Sequence, residues 1–424
     1  MASPQIGLPN ECLLSLCIPG SVVDICFGCF EKYAHLAVVA FESNSKLTRI
    51  GNDAFKRCSS LQSICIPQGV ASMGRDCFYD CRSLLCVHFS LDIRLEELSE
   101  STFDKCSSLP HLCVPSSVIT ISDKCFCECD QLSILTFEPN SRLRSIGANA
   151  FVSCHSLLSI CLPPSVEVIG RRCFYAGSLS TVIFESGSEL SSLGEGAFSY
   201  CFSLSSICIP SSVEFLRERC FFGGRNLATV TFESDSKLRR IETYAFSECP
   251  SLESICFPSS VEVICDFCFS RSKNLAIATF ESDSKLSQIA RSAFRYCFSL
   301  SSICIPSSVE VIGECCFFFC NNLSLVTFES DSKLIRIEIC AFSGCSSLLS
   351  IRIPSSVEVL YASCFSKCEN LSSITFEYLS KLRRIECDLR DSLSLSVGDI
   401  RECCCPGCPN LSAIIFESGP SLAV

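Results

Sequence analysis

Cysteine is the residue type through which this sequence could do most chemistry, with 38 cysteines among 424 residues. Such a count usually indicates a disulfide framework. Most of these cysteines, however, fall in columns of a repeating pattern. One column lies three residues after a recurring phenylalanine: Cys58, Cys81, Cys106, Cys129, Cys154, Cys201, Cys249, Cys297, Cys320, Cys345 and Cys368. A second lies just before it: Cys29, Cys77, Cys125, Cys173, Cys220, Cys268, Cys316 and Cys364. The second column alternates with alanine, which predicts cysteine acting as a small apolar residue in a tight core.

A third column of cysteines lies on predicted β-strands and points away from the core. Its members are Cys17, Cys65, Cys113, Cys161, Cys208, Cys256 and Cys304. They fall on every second strand, so neighbours in the column are expected ~9.6 Å apart. A disulfide needs Cα atoms within about 7 Å. We therefore expect a row of unpaired, exposed thiols, which is typical of a reducing compartment.

One patch on this predicted open face combines cysteine with histidine. Cys86 and His88 lie on one strand, His111 and Cys113 on the next, and Cys65 lies one strand further away. Two cysteines and two histidines are a ligand set for tetrahedral zinc. The alternative is that Cys113 is an ordinary column member and that the flat sheet splays the side chains apart. We predict no metal and keep the patch as an alternative.

A second cysteine cluster lies near the end of the chain and aligns with the repeat. In the segment Cys403-Cys404-Cys405-Pro-Gly-Cys408, Cys404 and Cys408 occupy their usual columns. Catalysis has little support elsewhere, because His35 and His155 are isolated and no phosphate loop or nucleophile elbow is present. The sequence therefore predicts a protein that is not an enzyme and has no cofactor.

A 48-residue repeat positions all of these columns. A phenylalanine recurs at Phe41, Phe89, Phe137, Phe184, Phe232, Phe280, Phe328 and Phe376, in steps of 48 residues and once 47. A proline marker recurs with the same steps, from Pro19 to Pro354. Two interleaved markers with one period indicate one stacked architecture, in which neighbouring repeats share a core.

Each period contains two units, of 23 and 25 residues. Within the first, Leu300, Ile303 and Ile305 alternate with polar residues, which predicts a short strand. Proline ends that strand, because it has no amide to donate to a ladder. The apolar spacing that follows predicts a short helical or 3₁₀ return segment. Strands joined in this way must run parallel, and we count seventeen of them.

The repeated skeleton L-x-x-I-x-I-P-x-S-V-x-x-I-G-x-x-x-F-x-x-C resembles the BspA-type leucine-rich repeats found in bacterial and protist surface proteins. The resemblance covers roughly Leu13 to Glu417, although serine, as at Ser308, stands where leucine-rich repeats in general have asparagine. It implies a mainly β, α/β leucine-rich-repeat solenoid with a curved parallel sheet. It also implies binding of proteins, often of host matrix or other cells, and it brings no catalytic residues.

The open strand face is the natural binding surface, because its side chains are not used in the core. We predict as binding residues Cys65, Cys86, His88, His111, Cys113, Thr136, Cys161, Cys208, Thr231, Cys256, Thr279, Cys304, Thr327 and Arg352. This face is almost uncharged and has no aromatic residues, whereas interface hot spots favour Trp, Tyr and Arg. The alternative is a merely tolerated β-surface, with binding through the charged rim or the ends.

Charge and hydropathy narrow the class of partner. The net charge of −11 shows no basic face, so nucleic acid is not expected. No stretch approaches the ~18 consecutive apolar residues of a membrane span. Residues 1–17 lack the basic leader of a secretory signal. Together with the thiols this favours the cytoplasm, and the family resemblance gives the cell surface as the alternative.

We expect residues 1–424 to form a single solenoid. Residues 13–385 form regular double repeats, 386–396 an irregular break and 397–424 a degenerate final repeat. The ends show no polar caps, which stacks usually need for solubility. The leading hypothesis is a protein-interaction or adhesion-type module. The alternatives are a scaffold that associates end to end and a metal protein.

Overall fold

Two compact units make up the chain in the computed structural model, one up to Leu204 and one from Ser205 on. The structure describes residues 13–386 and 397–418. Each unit is a parallel β-solenoid. Each coil places one four-residue strand, called here a long strand, on one side. A short strand of two or three residues follows it on another side.

The long strands number eight in unit 1 and nine in unit 2, which confirms the seventeen predicted strands. In unit 1 they are Ser15–Ile18, Val38–Phe41, Ser63–Ile66, Cys86–Phe89, His111–Val114, Ile134–Phe137, Ser159–Leu162 and Thr181–Phe184. In unit 2 they are Ser206–Ile209, Thr229–Phe232, Ser254–Phe257, Ile277–Phe280, Ser302–Ile305, Leu325–Phe328, Ser350–Ile353, Ser373–Phe376 and Ala413–Phe416.

The short strands follow the turn that ends each long strand. In unit 1 they are Asp24–Ile25, Arg49–Ile50, Ser72–Met73, Glu97–Leu98, Thr120–Ile121, Ser145–Ile146, Val168–Ile169 and Ser192–Leu193. In unit 2 they are Phe215–Leu216, Arg240–Ile241, Val263–Ile264, Gln288–Ile289, Val311–Ile312, Arg336–Ile337, Val359–Tyr361 and Arg384–Glu386.

Strands of successive coils pair in parallel and in register. Cys65 lies opposite His88 in unit 1, and Cys304 lies opposite Thr327 in unit 2. Alternation then divides each long strand: Ile303 and Ile305 are buried, whereas Ser302 and Cys304 are exposed. This is the period-two pattern that the sequence predicted.

The return segments differ from the prediction, because they are turns and not helical or 3₁₀ segments. Two residues per coil have positive φ, as at Asp53 (55°) and Arg57 (60°) on either side of Phe55. A left-handed residue interrupts a right-handed helix. Alternate amides then bond to the next coil: Phe55 N–H donates to the Cys77 carbonyl at 2.9 Å. Helical spacing of apolar residues was therefore a misleading signal here.

The core of each unit is a column of stacked phenylalanine rings. In unit 1 the column runs from Phe30 to Phe198, and in unit 2 from Phe221 to Phe365. Ring centroids one coil apart are separated by 5.1 to 5.6 Å, with nearly parallel planes. Buried leucine and isoleucine fill the remaining space. Each ring is covered on both faces only by neighbouring coils, so no coil can form this core alone.

Among the described residues, helix occurs in one place only. It comprises α1, Val397–Asp399, which continues as a π-helical turn, Ile400–Cys404. The predicted irregular break lies almost entirely in residues 387–396, outside the described part. Beyond it, Phe365 N–H donates to the Cys404 carbonyl at 2.8 Å and the Cys408 thiol to the Phe365 carbonyl at 2.9 Å. Cys404 and Cys408 thus occupy the positions of Cys364 and Cys368 one coil earlier.

Candidate functional site: thiol ladders and the open strand face

The buried cysteines that follow each core phenylalanine form a ladder of hydrogen bonds. The Cys297 thiol donates to the carbonyl of Phe269, one coil back, at 3.2 Å, and Cys320 donates to Phe294 at 3.1 Å. The same contact recurs at Cys58, Cys81, Cys106, Cys129, Cys154, Cys201, Cys249, Cys345, Cys368 and Cys408. The phenylalanine carbonyl points into the core, where an unpaired polar group is costly. The thiol satisfies it.

Sequence reasoning missed this role, although one signal for it was present. Ser272 stands in the same column as the cysteines, and its hydroxyl donates to the Phe246 carbonyl at 2.8 Å. Replacement of a core cysteine by serine indicates a donor, because a simple apolar filler is replaced by alanine. The other buried column does alternate with alanine, at Ala293 and Ala341 beside Cys316.

The ladder thiols are chemically inert. Burial raises the pKa of Cys201 to about 12 and that of Cys297 well above its ordinary value. The thiolate is the nucleophile and the metal ligand, so a raised pKa suppresses both reactions. Their function is structural.

The open strand face presents the third cysteine column to solvent. Cys65, Cys113, Cys161, Cys208, Cys256 and Cys304 are exposed free thiols. Thr136, Thr231, Thr279 and Thr327 alternate with them and are also exposed. The predicted side-chain orientation is therefore what the structure shows. Whether these residues bind a partner stays a prediction.

Aliphatic side chains also lie on this face. In unit 2, Ile277 and Leu325 are 54% and 52% exposed, with Ser302 paired between them. In unit 1, Ile134 and Ile183 are similarly exposed. Such exposure of large apolar residues on a regular strand surface is typical of an interaction site.

A row of glutamates borders the open face, where each second-type long strand ends. The carboxylate of Glu329 accepts the backbone N–H of Ser307, one coil back, at 2.8 Å, and Glu281 does the same for Ser259 at 2.9 Å. These carboxylates are therefore used in closing the proline turns. The Cys161 thiol lies 3.5 Å from Glu185, and partial burial, followed by this carboxylate, raises the pKa of Cys161.

The predicted His/Cys patch is not a metal site in this structure. Among the described residues, no group of three or more His, Cys, Asp or Glu side chains is placed to hold a metal ion. Cys86 and His88 belong to one four-stranded sheet, whereas His111 and Cys113 belong to another pair of strands. The ladder is interrupted between them, and this separates the two halves of the patch. The alternative of a metal protein through this patch is therefore wrong.

Arg352 interrupts the cysteine column and is committed to ion pairs. Its guanidinium lies 3.2 Å from Glu377 and reaches Glu417 across two coils, with one contact at 2.9 Å. The groups are largely exposed, so their contribution to stability is small. The arginine links the last described long strand, Ala413–Phe416, to the preceding coils.

One carboxyl group in unit 1 is buried away from the open face. Asp104 is 6% exposed, and its Oδ1 atom has no hydrogen-bond partner. Burial, opposed by Lys105 and reinforced by Glu128, raises the pKa of Asp104 to about 6. No nucleophile or base is arranged around it for catalysis.

A search for helices able to cross a bilayer found none among the described residues.

Strand pairing, the buried Leu/Ile pattern and the exposed strand face together define both units as leucine-rich-repeat solenoids. The chain belongs to the BspA-type leucine-rich repeat family. The model of the BspA type leucine rich repeat region matches residues 10–133, 86–201, 191–323, 287–387 and 317–421. The resemblance noted from the sequence is thus confirmed. Repeats of this kind are in general protein-interaction modules, and no catalytic family is indicated.

Solved structures show the same fold. A leucine-rich repeat protein from Bacteroides ovatus is similar, with a TM-score of 0.63 and 24% identity over 95% of this chain and 86% of that chain. A leucine rich cell surface protein from Faecalibacterium prausnitzii has 21% identity, a TM-score of 0.41, and coverage of 96% and 89%. The pneumococcal vaccine antigen PcpA has 17% identity, a TM-score of 0.43, and coverage of 96% and 80%. No match was found among curated proteins.

Proposed function

We propose that this protein is a non-catalytic binding module that holds a protein partner against the open strand face. The observation that carries the proposal is the pair Ile277 and Leu325, more than half exposed on a regular, uncharged strand surface of unit 2. Hydroxyl and thiol side chains surround them and offer hydrogen bonds without the desolvation cost of charged groups. Such a surface fits a partner with a small apolar patch and polar backbone or side-chain groups around it.

Hollows beside the exposed thiols support the same surface in unit 1. A hollow of about 460 Å³ is lined by residues that include Thr136, Cys161 and Glu185. Another, of about 1050 Å³, includes Cys65 among its lining residues. Concave surface next to an exposed strand face gives partner side chains a place to insert.

The test compares two surfaces of unit 2. The protein is immobilised and exposed to lysate of its source cells and to extracellular matrix proteins. The variant Ile277→Lys with Leu325→Lys is expected to lose any saturable partner that the parent retains. Ile335→Lys is the matched control, because Ile335 is 40% exposed and is not part of a long strand. No saturable partner in either source, or equal loss in the control, would count against the proposal.

The compartment is proposed from the exposed thiols. Cys208, Cys256 and Cys304 lie unpaired on the surface, as expected in a reducing compartment. One described cysteine, Cys403, is disulfide-bonded, so the thiol argument is not uniform along the chain. Titration of the native protein with a thiol reagent, taken directly from the cell, separates the cytoplasm from the cell surface. Mostly oxidised open-face cysteines would favour the surface.

Self-association through one end is a second candidate. The long strand Ala413–Phe416 pairs with Ser373–Phe376, and within the described residues no strand pairs with its other edge. Phe416 is 48% exposed beside that edge. An open edge with an apolar side chain is a template for pairing. Light scattering over a range of concentrations tests this, and Phe416→Asp is expected to remove any dimer. A parent that stays monomeric throughout would eliminate the idea.

A further inference from the structure

A pocket lies among the turns of unit 2, and none of its residues belongs to a long strand. Its volume is about 430 Å³, and its walls include the rings of Tyr244, Phe267 and Tyr296 and the guanidinium groups of Arg271 and Arg295. Aromatic and arginine side chains are those that dominate binding energy at protein interfaces. The open strand face lacks aromatics, so the chain concentrates these residue types elsewhere.

The turn geometry turns these side chains outward. Tyr244 and Phe267 have φ of 60° and 55°, the left-handed conformation that recurs two residues before each core phenylalanine. Their rings stack on each other at 4.9 Å with an interplanar angle of 10° and remain half-buried. Rings fixed in this way lose little conformational freedom when a ligand covers them.

Arg295 provides the charge of the pocket. Its guanidinium lies 4.8 Å from the ring of Tyr296 and 4.7 Å from that of Phe318, and Nη2 donates to the Tyr296 hydroxyl at 3.2 Å. Among the described residues, no carboxylate forms an ion pair with Arg295. A guanidinium has five N–H donors, so this half-buried, oriented group keeps donors for a ligand.

The charges around the pocket select the kind of anion. Arg271 is paired with Glu248 at 3.2 Å, and Arg219 is paired with Glu218. These pairs compensate each other, which leaves the single positive charge of Arg295. A carboxylate, with one negative charge, matches this balance. A dianionic phosphate would place excess negative charge beside Glu248.

We propose that this turn-side pocket binds an acidic peptide segment of a partner protein. An aspartate or glutamate carboxylate pairs with Arg295, and an adjoining aromatic or aliphatic side chain covers Tyr244 and Phe267. The volume accommodates two side chains of this kind. The site is independent of the open strand face, so each can be present without the other.

Fluorescence anisotropy with labelled peptides tests the site on the full chain. The probes are Ac-Gly-Phe-Glu-Phe-Gly-amide, its glutamine counterpart and a phosphoserine counterpart. The glutamate peptide is expected to bind about 10-fold more tightly than the glutamine peptide, as a charge-assisted hydrogen bond predicts. The difference is expected to shrink as salt is raised.

Three variants locate the effect. Arg295→Gln is expected to abolish the preference for glutamate, and Arg295→Lys to restore part of it. Arg239→Gln is the matched control, because Arg239 is an exposed arginine of the same unit that is paired with Glu262, and it is expected to keep the preference. The open-face variant Ile277→Lys with Leu325→Lys is expected to bind the peptide as the parent does, which separates this site from the proposed function.

Several outcomes would overturn the assignment. These are equal binding of the glutamate and glutamine peptides, no binding of either at millimolar concentration, and an unchanged preference in Arg295→Gln. Tighter binding of the phosphoserine peptide would also overturn it, because the argument selects a single negative charge.

Discussion

Substitution of Cys297 decides whether the ladder cysteines act as donors or only as apolar filler. Serine keeps a donor of nearly the same size, whereas alanine leaves the Phe269 carbonyl unpaired in the core. If the thiol is a donor, Cys297→Ser is expected to be more stable than Cys297→Ala. If it is only filler, the order reverses, because a buried hydroxyl without a partner is destabilising.

The expected magnitudes follow from the contacts. Cys297 is fully buried, so Cys297→Ala loses about 1 kcal/mol of apolar contact. An unpaired buried carbonyl adds about 1 kcal/mol, at the low end of the usual range because a thiol is a weak donor. The total is about 2 kcal/mol. For Cys297→Ser we expect less than about 1 kcal/mol, since Ser272 already makes the same contact one coil away.

The assay is native-state hydrogen exchange of the peptide segment around residues 290–305, because a stack of repeats need not unfold in one step. Faster exchange is expected for the alanine variant than for the serine variant. Cys316 is the matched control: alanine occupies its column in both neighbouring coils, at Ala293 and Ala341. There, alanine is expected to be tolerated better than serine. A serine variant at Cys297 that exchanges faster than the alanine variant would refute the donor argument.

Three further outcomes are expected. Phe294→Ala is expected to cost about 3 to 5 kcal/mol in unfolding free energy, because its ring stacks between Phe269 and Phe317 at 5.2 and 5.4 Å; denaturant unfolding measures it, and a loss under 1 kcal/mol would contradict the stacked core. The pKa of Asp104 is raised to about 6 from 3.8, so its contribution is present below pH 4 and lost as pH rises through 6; Asp104→Asn is expected to flatten the pH dependence of thermal stability in that window, and an unchanged profile would contradict the assignment. Metal analysis of the purified protein is expected to find no zinc, with or without His88→Ala and His111→Ala; stoichiometric zinc lost in these variants would overturn the geometry.

The sequence predicted the long strands well because their cause is local. Alternation in Ser302–Ile305 decides which side chains face the core, and Pro306 ends the strand by lacking an amide. The exposed and buried cysteine columns were separable for the same reason. Repetition over many coils then made each assignment secure.

Features that depend on contact between coils were not predictable in this way. The left-handed residues beside Phe55 are not glycine, and their conformation is stabilised by amides that bond to the next coil. The thiol-to-carbonyl ladder requires knowing which carbonyl points inward. The pocket at Arg295 arises from side chains 50 residues apart in sequence, which no single repeat reveals. The zinc hypothesis was wrong because it assumed an uninterrupted sheet between Cys86–Phe89 and His111–Val114.

The stacked phenylalanine column has a consequence for how such a gene can change length. Every second coil sees the same kind of neighbour above and below. Excision of residues 252–299 would bring Leu300 to the place of Leu252 and leave Phe246 facing Phe317, another phenylalanine. Loss of a single coil would instead set two proline-terminated strands side by side. Unequal recombination is therefore tolerated in increments of 48 codons, and tandem duplication can add surface without redesigning the interior.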